Sequence, residues 1–315
     1  MGKHLILGAA TRYSPEEVRW FVDSLKASGY QGDTALLVDS GNADLAEYLR
    51  KQNIQTIPVT TKPWWMPTPV FTRRLNRGRM GIIHRLLGNL DALPLPGDLR
   101  RSFQWSLLTP FHHIANLRYW SYFDYLLKHR EAYDKVLIID VRDAVFQVDP
   151  FENTPTEFLW IFSENQRVHI EADTCNRGWI EYLYGEEGLR AIGQHPVLCS
   201  GSTMGSTARM LDYFRAMVDE IARKTPLIAG APGYDQGIHN WLYYQQRLPA
   251  AQVHASLHGA IATLQLEDSA AFRFDTQGHL LNENGSVPAI LHQYDRHPAL
   301  VERLGRSLNN PQAKS

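Results

Sequence analysis

VLIIDVRDAVFQVDPF, residues 136–151, runs apolar from Val136 to Ile139, delivers Asp140 at the end of that run and adds Asp143 just beyond it. An uninterrupted Val/Leu/Ile run of this kind reads as a strand buried on both faces, as in a parallel or mixed sheet. Ligands of such sheets gather beyond the carboxyl ends of the strands. Two carboxylates placed there are costly to desolvate unless a cation or hydrogen-bond donors meet them. Oxygen ligands suit hard cations such as magnesium and manganese, so the stretch predicts a divalent-metal site at a sheet rim. Residues i and i+2 of a strand point the same way, so Asp140 and Asp143 converge only across a turn. Arg142 in that turn is expected to pair with one carboxylate and leave the other for metal; an Asp–Arg surface network is the plainer alternative.

On the N-terminal side, residues 3–60 alternate strand and helix. His4–Ala10 is a short buried strand. Ser14-Pro15-Glu16-Glu17 is a helix start, with Ser at the N-cap, Pro at the first helical position and Glu17 closing a capping box. Val18, Phe21, Val22 and Leu25 then recur at helical spacing, and Gly29 and Gly32 end the unit. Thr34–Val38 is a second strand, Ala43–Lys51 a second helix and Ile54–Val59 a third strand. Helical spacing returns over His113–His129, just before the acidic strand. Beyond it, Phe158–Phe162 (FLWIF) reads as a buried strand, Thr207–Lys224 and Gln236–Gln246 as helices, and the chain after residue 250 as strands and turns. Such alternation predicts a three-layer α/β domain with a mixed, mostly parallel central sheet flanked by helices. A single domain over 1–308 is expected, with a helical insertion at 61–111 and a polar tail at 309–315.

Lys+Arg 32 against Asp+Glu 33 leaves a formal net charge of −1 over 315 residues, so bulk electrostatics favour neither nucleic acid nor membrane as a partner. Hydrophobic content of 44% supplies a large core and argues against global disorder. The two cysteines, Cys175 and Cys199, are too few for a disulfide scaffold or a zinc cluster; they are expected to be ordinary buried thiols, a pairing in space being the alternative. No apolar stretch approaches membrane-spanning length and LILGAA is too short for a secretory core, so a soluble, cytoplasmic protein is expected. Residues 61–111 break the alternation with a Pro-rich stretch that holds Trp64, Trp65 and Trp105 and the basic residues Arg73, Arg74, Arg77, Arg79 and Arg85. The basic run is either a solvated helix face or a contact for an acidic acceptor, lipid headgroup or phosphate, which leaves peripheral membrane contact open. The tryptophans either stack on a ligand or pack as a lid.

Three further places carry chemistry. Ala10, Thr11 and Arg12 follow the first strand directly and precede a helix N-terminus, a natural position for a nucleotide. The loop lacks G-x-G-x-x-G and G-x-x-x-x-G-K-[ST], which argues against a Rossmann dinucleotide site or a P-loop. Arg118, on the helix before the acidic strand, is either a plain surface arginine or within reach of a diphosphate bound there. LCSGSTMGS (198–206) and GYDQGIHNWL (233–242) form the second place. Gly201 and Gly205 either make a tight turn or let backbone approach a ligand closely. Asp235 is either a helix N-cap or, with Gln236, faces a reacting group. His292, in AILHQYDRHP at the end of the last strand, is either structural or a ligand for a manganese-like ion, with Asp295 and His297 beside it.

Together these segments resemble the nucleotide-sugar glycosyltransferases of the GT-A fold, most nearly the glycogenin-like and bacterial galactosyltransferase-like retaining group. The similarity covers residues 3–40 loosely and 115–300 more firmly. VLIIDVRDAVFQVDPF resembles that group's strand-borne Asp motif, LCSGSTMGS its N-S-G segment and YDQGIHN its D-Q-x-x-x-N segment, while LHQYDRHP stands where its C-terminal metal-ligand histidine falls. The chain departs from the group at Asp140-Val-Arg-Asp143 in place of D-x-D, at Cys199 in place of Asn, and in lacking H-x-x-G-x-x-K-P-W. The resemblance implies a metal-dependent transferase that moves a sugar from a nucleoside-diphosphate sugar to a glycan, lipid-linked or small-molecule acceptor, with retention at the anomeric carbon. It implies Mn2+ or Mg2+ on Asp140, Asp143 and His292, and donor contacts from Ala10, Thr11, Arg12, Arg118, Asp140, Ser200 and Gly201. Asp235 and Gln236 then lie beside the reacting sugar carbon. The alternatives are a catalytically inactive nucleotide-sugar-binding protein on the same fold and a nucleotidyltransferase on a related sheet. The latter wants a Gly-rich basic loop after the first strand, which GAATRYSP does not supply.

Overall fold

A computed structural model describes residues 3–60, 97–109, 112–152, 157–228 and 233–309. Trp64, Trp65, the arginines at 73, 74, 77, 79 and 85, and residues 310–315 of the polar tail lie outside the described residues.

The N-terminal strands and helices follow from the local rules. β1 (His4–Ala9) leads to α1 (Pro15–Ala27), where Ser14 caps the helix and exchanges hydrogen bonds with Glu17 in a capping box. β2 (Asp33–Asp39), α2 (Ala43–Lys51) and β3 (Gln55–Val59) follow, with Asn42 as the cap of α2. α3 (Gly97–Leu108) and α4 (Ile114–Lys128) precede β4 (Lys135–Ile139) and the short β5 (Ala144–Phe146). Then come β6 (Leu159–Ser163), α5 (Thr174–Ile192), β7 (Leu198–Ser206), α6 (Thr207–Ile228) and α7 (Tyr234–Tyr244). The C-terminal part holds β8 (Ala251–His254), β9 (Ile261–Thr263), β10 (Arg273–Phe274), β11 (Leu280–Leu281), β12 (Ile290–His292) and α8 (Pro298–Asn309).

The result is an α/β fold whose seven-stranded sheet has the order β3-β2-β1-β4-β7-β6-β8. Pairing is parallel from β3 to β4 and between β6 and β8, while β7 runs antiparallel to both its neighbours. Alternation along the central strands feeds two cores. Leu5, Leu7, Val136 and Ile138 pack with α4, α6 and α7; Ile6, Leu137 and Ile139 pack with α1 and α2 on the other face. Both faces of β1 and β4 are therefore dry, which is what their unbroken apolar runs require. A second, three-stranded sheet, β5-β12-β9, hangs beside the carboxyl end of β4. Among the described residues, no helix is long and apolar enough to cross a membrane.

Several expectations change. LCSGSTMGS is a strand, not a tight turn. Its pairing with β6 slips between Ile161–Thr203 and Phe162–Cys199, so Ser200, Gly201 and Ser202 bulge off that neighbour. Trp105 of α3 is fully buried and stacks on Trp120 with ring centroids 5.7 Å apart, so it is core and cannot stack on a ligand. α5 and α8 add two helices that the sequence patterns do not announce. α5 contains Gly178, Gly185 and Gly188, each costly in a helix, and is broken at Gly185, which sits at φ 71°.

Candidate functional site

Asp140 leaves β4 with its backbone N–H bonded to the Gly201 carbonyl at 2.9 Å. A turn through Val141 and Arg142 carries the chain to Asp143 and into β5. β12 runs antiparallel to β5 with His292 opposite Ala144, which brings the imidazole beside Asp143. One ligand atom from each of Asp140, Asp143 and His292 lies within 4.8 Å of the others. His292 Nε2 is 3.7 Å from Asp140 Oδ2 and 3.7 Å from Asp143 Oδ1. Those separations are too long for hydrogen bonds and short enough for one ion to span.

The residues fit a metal ion on three counts. His292 is fully buried and its Nε2 has no hydrogen-bond partner among the described residues. Two carboxylates and an imidazole are a donor set for a divalent cation. A Cβ at Gly201 would fall 2.4 Å from Asp140 Oδ2 and 2.7 Å from His292 Cε1, so only glycine leaves the junction clear. On its other side, His292 Nδ1 meets the Cys199 sulfur at 3.6 Å, which fixes the ring. Both cysteines are free thiols, and Cys199 is buried as expected; Cys175 is exposed instead, because it lies in the first turn of α5 on its solvent side.

Charge at the rim is organised by Arg118, which α4 delivers with only 12% of its side chain exposed. Its Nη1 donates to Asp140 Oδ1 at 2.5 Å and its Nη2 to Asp235 Oδ2 at 2.7 Å. Asp140 is thus divided, one oxygen on the guanidinium and the other toward His292. Burial works against its ionisation, but Arg118 and His292 prevail and hold its pKa below the usual carboxylate range. Asp143 lacks so close a cation, with Arg296 no nearer than 3.8 Å, and burial, aided by Asp140 and Asp295, raises its pKa. Burial opposes a charged His292, yet Cys199, Asp140 and Asp143 lift its pKa well above the ordinary imidazole value. A cation bound at the junction would take the place of that proton. Arg142, expected to pair with Asp140 or Asp143, instead reaches Asp295 at 3.7 Å, because the turn points it outward.

Asp235 stands in the first turn of α7 and caps nothing; Gly233, at φ 89°, is the N-cap residue. Its carboxylate takes Arg118 and, at 3.4 Å, the Ser200 hydroxyl. Gln236 Oε1 accepts the Ser200 backbone N–H at 3.4 Å, and its Nε2 donates to Asn176 Oδ1 at 3.1 Å and Glu164 Oε1 at 3.4 Å. Asn240 pins α7 to β7 by bonding both the N–H and the carbonyl of Leu198. The bulge in β7 and the start of α7 therefore form one floor beneath Asp140.

A cleft of about 230 Å³ opens beside Asp140 and Arg118, lined by Thr11, Tyr13, Ala115, Arg118, Asp140 and Asp143 among others. Arg12 turns the chain there at φ 63°, its backbone N–H held by Asp39 Oδ2 at 2.6 Å. Ala10 is fully buried in the core behind the cleft and offers it no side chain.

Tyr13, Glu164, Asn176 and Gln293 belong to this neighbourhood; Tyr13 and Gln293 lie inside the quoted segments GAATRYSP and AILHQYDRHP without being singled out there, and no motif marks Glu164 or Asn176. Glu164 has one readable signal, since it stands one residue beyond the apolar run FLWIF, separated from it by Ser163, as Asp140 stands at the end of VLII. It is 1% exposed, its Oε2 has no partner among the described residues, and burial pushes its pKa up to about 7. No protein-family model matches the chain, and no curated protein matches it closely enough to count as a relative.

Proposed function

We propose that this protein is a metal-dependent glycosyltransferase of GT-A type, moving a sugar from a nucleoside-diphosphate sugar to an acceptor with retention at the anomeric carbon. The observation that carries the reading is the meeting of Asp140, Asp143 and His292 with Arg118 at one sheet rim, at the mouth of a cleft. Nucleoside-diphosphate departure builds negative charge, and a rim that combines a cation seat with a buried guanidinium is suited to receive it. A divalent ion, manganese or magnesium, when bound supplies Lewis-acid stabilisation of the leaving diphosphate.

The chain's own residues divide the remaining work. Asp140, Asp143 and His292 hold the ion. Thr11 and Arg12, in the loop after β1, face the nucleotide, and Arg118 carries fixed positive charge beside the diphosphate. Ser200 and Gly201 let the sugar lie against backbone. Asp235 is spent on Arg118 and Ser200, so it is poorly placed to take a proton from an acceptor as an inverting base must. That commitment supports retention, with the carbonyl of Gln236 beside the reacting carbon. The acceptor, whether glycan, lipid-linked or small molecule, binds on the open side of this centre.

A thermal-shift screen of nucleoside diphosphates with and without manganese tests the reading. One base is expected to stabilise the protein only when metal is present, by about 2.7 kcal/mol at a hundredfold excess over Kd. Asp143→Asn is expected to abolish that dependence. Metal-dependent binding without turnover of any sugar nucleotide selects the non-catalytic alternative, and an inverted product by NMR removes retention. Absence of metal-dependent stabilisation by every nucleoside diphosphate overturns the proposal.

A further inference from the structure

The part Gln236 plays depends on which way round its amide stands, since carbonyl oxygen and amino group have similar shape and opposite polarity. The neighbouring hydrogen bonds decide the matter. Asp173, the N-cap of α5, accepts at Oδ1 both the backbone N–H and the side-chain Nδ2 of Asn176, each at 2.8 Å. A carboxylate offers acceptors only, so Asn176 must turn its nitrogen toward Asp173 and its oxygen away. That oxygen receives Gln236 Nε2 at 3.1 Å, and Glu164 Oε1 receives the same nitrogen at 3.4 Å. With two acceptors behind it, the amino group is held at the back. Oε1 faces the Ser200 N–H, one residue from the Gly201 backbone that packs against Asp140. Polarity is thus handed from a helix cap through two amides to the rim.

Glu164 makes this costly to explain as packing alone. Its carboxyl is buried, and its second oxygen has no partner among the described residues. What Glu164 supplies is an acceptor, Oε1, set against the amino end of the Gln236 amide.

We propose that Glu164 and Asn176 are positioning residues that lock Gln236 with its carbonyl oxygen toward the reacting centre. There the negative end of the amide dipole faces the positive charge that develops on a departing sugar, and the amino group is kept from it. This rests on the transfer reading for its chemical purpose, but the lock itself is a property of the protein alone. It adds to that reading two residues that need not touch substrate and act through Gln236.

The experiment follows both. In the full chain labelled with 15N-glutamine, the Gln236 side-chain signal is assigned by its absence in Gln236→Glu. Hydrogen exchange of its two amide protons is then measured in the wild type, Glu164→Leu, Asn176→Ala and Glu164→Gln. Alongside, kcat and KM are measured for release of nucleoside diphosphate from sugar nucleotides, and affinity for manganese with nucleoside diphosphate is measured by calorimetry. Protected protons are expected in the wild type, with at least tenfold loss of protection in E164L and N176A. In those two variants kcat is expected to fall at least tenfold while nucleotide affinity stays within twofold. E164Q, whose amide oxygen can accept the same bond, is expected to keep kcat within threefold. Freely exchanging protons in the wild type overturn the proposal, as does unchanged kcat in E164L and N176A. A loss of nucleotide affinity equal to the loss of kcat also overturns it, by marking the pair as mere scaffolding. An inactive E164Q overturns it too, by giving the charge itself a role. Protection that follows the expected order in a chain with no sugar-nucleotide turnover supports the lock and overturns the transfer reading.

Discussion

Gly201 lies so close to Asp140 that a Cβ at position 201 would stand 2.4 Å from the Asp140 Oδ2 atom. Real atoms do not approach so near, so one of them must move, and the carboxylate is the freer of the two. Gly201→Ala is therefore expected to swing Asp140 out of the junction while β7 keeps its place. Manganese affinity, followed by calorimetry, should fall at least tenfold. Thermal stability should fall by about 1–3 kcal/mol as well, because the added methyl also meets the buried His292 ring, at 2.7 Å from Cε1. Undiminished manganese binding in this variant would falsify the assignment of Oδ2 as a ligand.

What the sequence told in advance, and what it hid, divides along physical lines. Strong periodicity was legible: α1 starts at the capping box of Ser14 and Glu17, and α2 spans Ala43–Lys51 as expected. The acidic rim was legible because Asp140 ends an apolar run, and its convergence with His292 was reached through resemblance rather than spacing. β7 misled because Gly201 and Gly205 look like turn formers, while in the fold they serve close approach and a bulge. Arg142 misled because its closeness along the chain to Asp143 says nothing of direction after a turn. The relay from Asp173 through Asn176 to Gln236 joins residues 60 positions apart at its second link, and no local pattern encodes it.

Arg118 holds two carboxylates with two nitrogens, and its removal strands both. Asp140 can turn to water, with 37% of its side chain exposed, whereas Asp235 has only 6%. Arg118→Met is thus expected to cost about 3 kcal/mol in denaturant unfolding, chiefly through the buried Asp235. Arg118→Lys should recover only part of that, because one ammonium lacks the planar fork that spans both partners. Adding Asp235→Asn to Arg118→Met should restore stability by removing the stranded charge. If the double variant is no more stable than the single, the ion pair is not what Asp235 depends on.

Glu164 gives a signature in stability against pH. Burial raises its folded pKa to about 7 from an ordinary value of 4.5, so between those values the folded state holds a proton that the unfolded chain has lost. Stability from this group is full below pH 4.5 and is lost as pH rises through 7. Glu164→Gln removes the titration. Relative to the wild type, the variant should gain roughly 2–3 kcal/mol on going from pH 5 to pH 8, since a tenfold change in proton affinity is worth about 1.4 kcal/mol. Parallel stability curves for the two proteins would show that Glu164 ionises as freely as a surface carboxylate.

Two buried histidines act with the opposite sign. His112 bonds Thr225 at 3.0 Å and His239 bonds the Tyr213 hydroxyl at 2.8 Å, and burial lowers both pKa values to about 3 from 6.5. Neither can take a proton without burying a charge, so the unfolded chain binds more protons between pH 3 and 6.5. Their stabilising effect is complete above pH 6.5 and drains away as pH falls toward 3. Each should cost about 2 kcal/mol between pH 7 and pH 5, at about 1.4 kcal/mol for each pH step of one below the unfolded value. His239→Gln keeps a polar group for Tyr213 and cannot titrate. Its own loss of stability from pH 7 to pH 5 should therefore be smaller than that of the wild type by that amount, whatever its starting stability. An equal loss in both proteins would mean that His239 is protonated in the folded state, against its burial beside Tyr213.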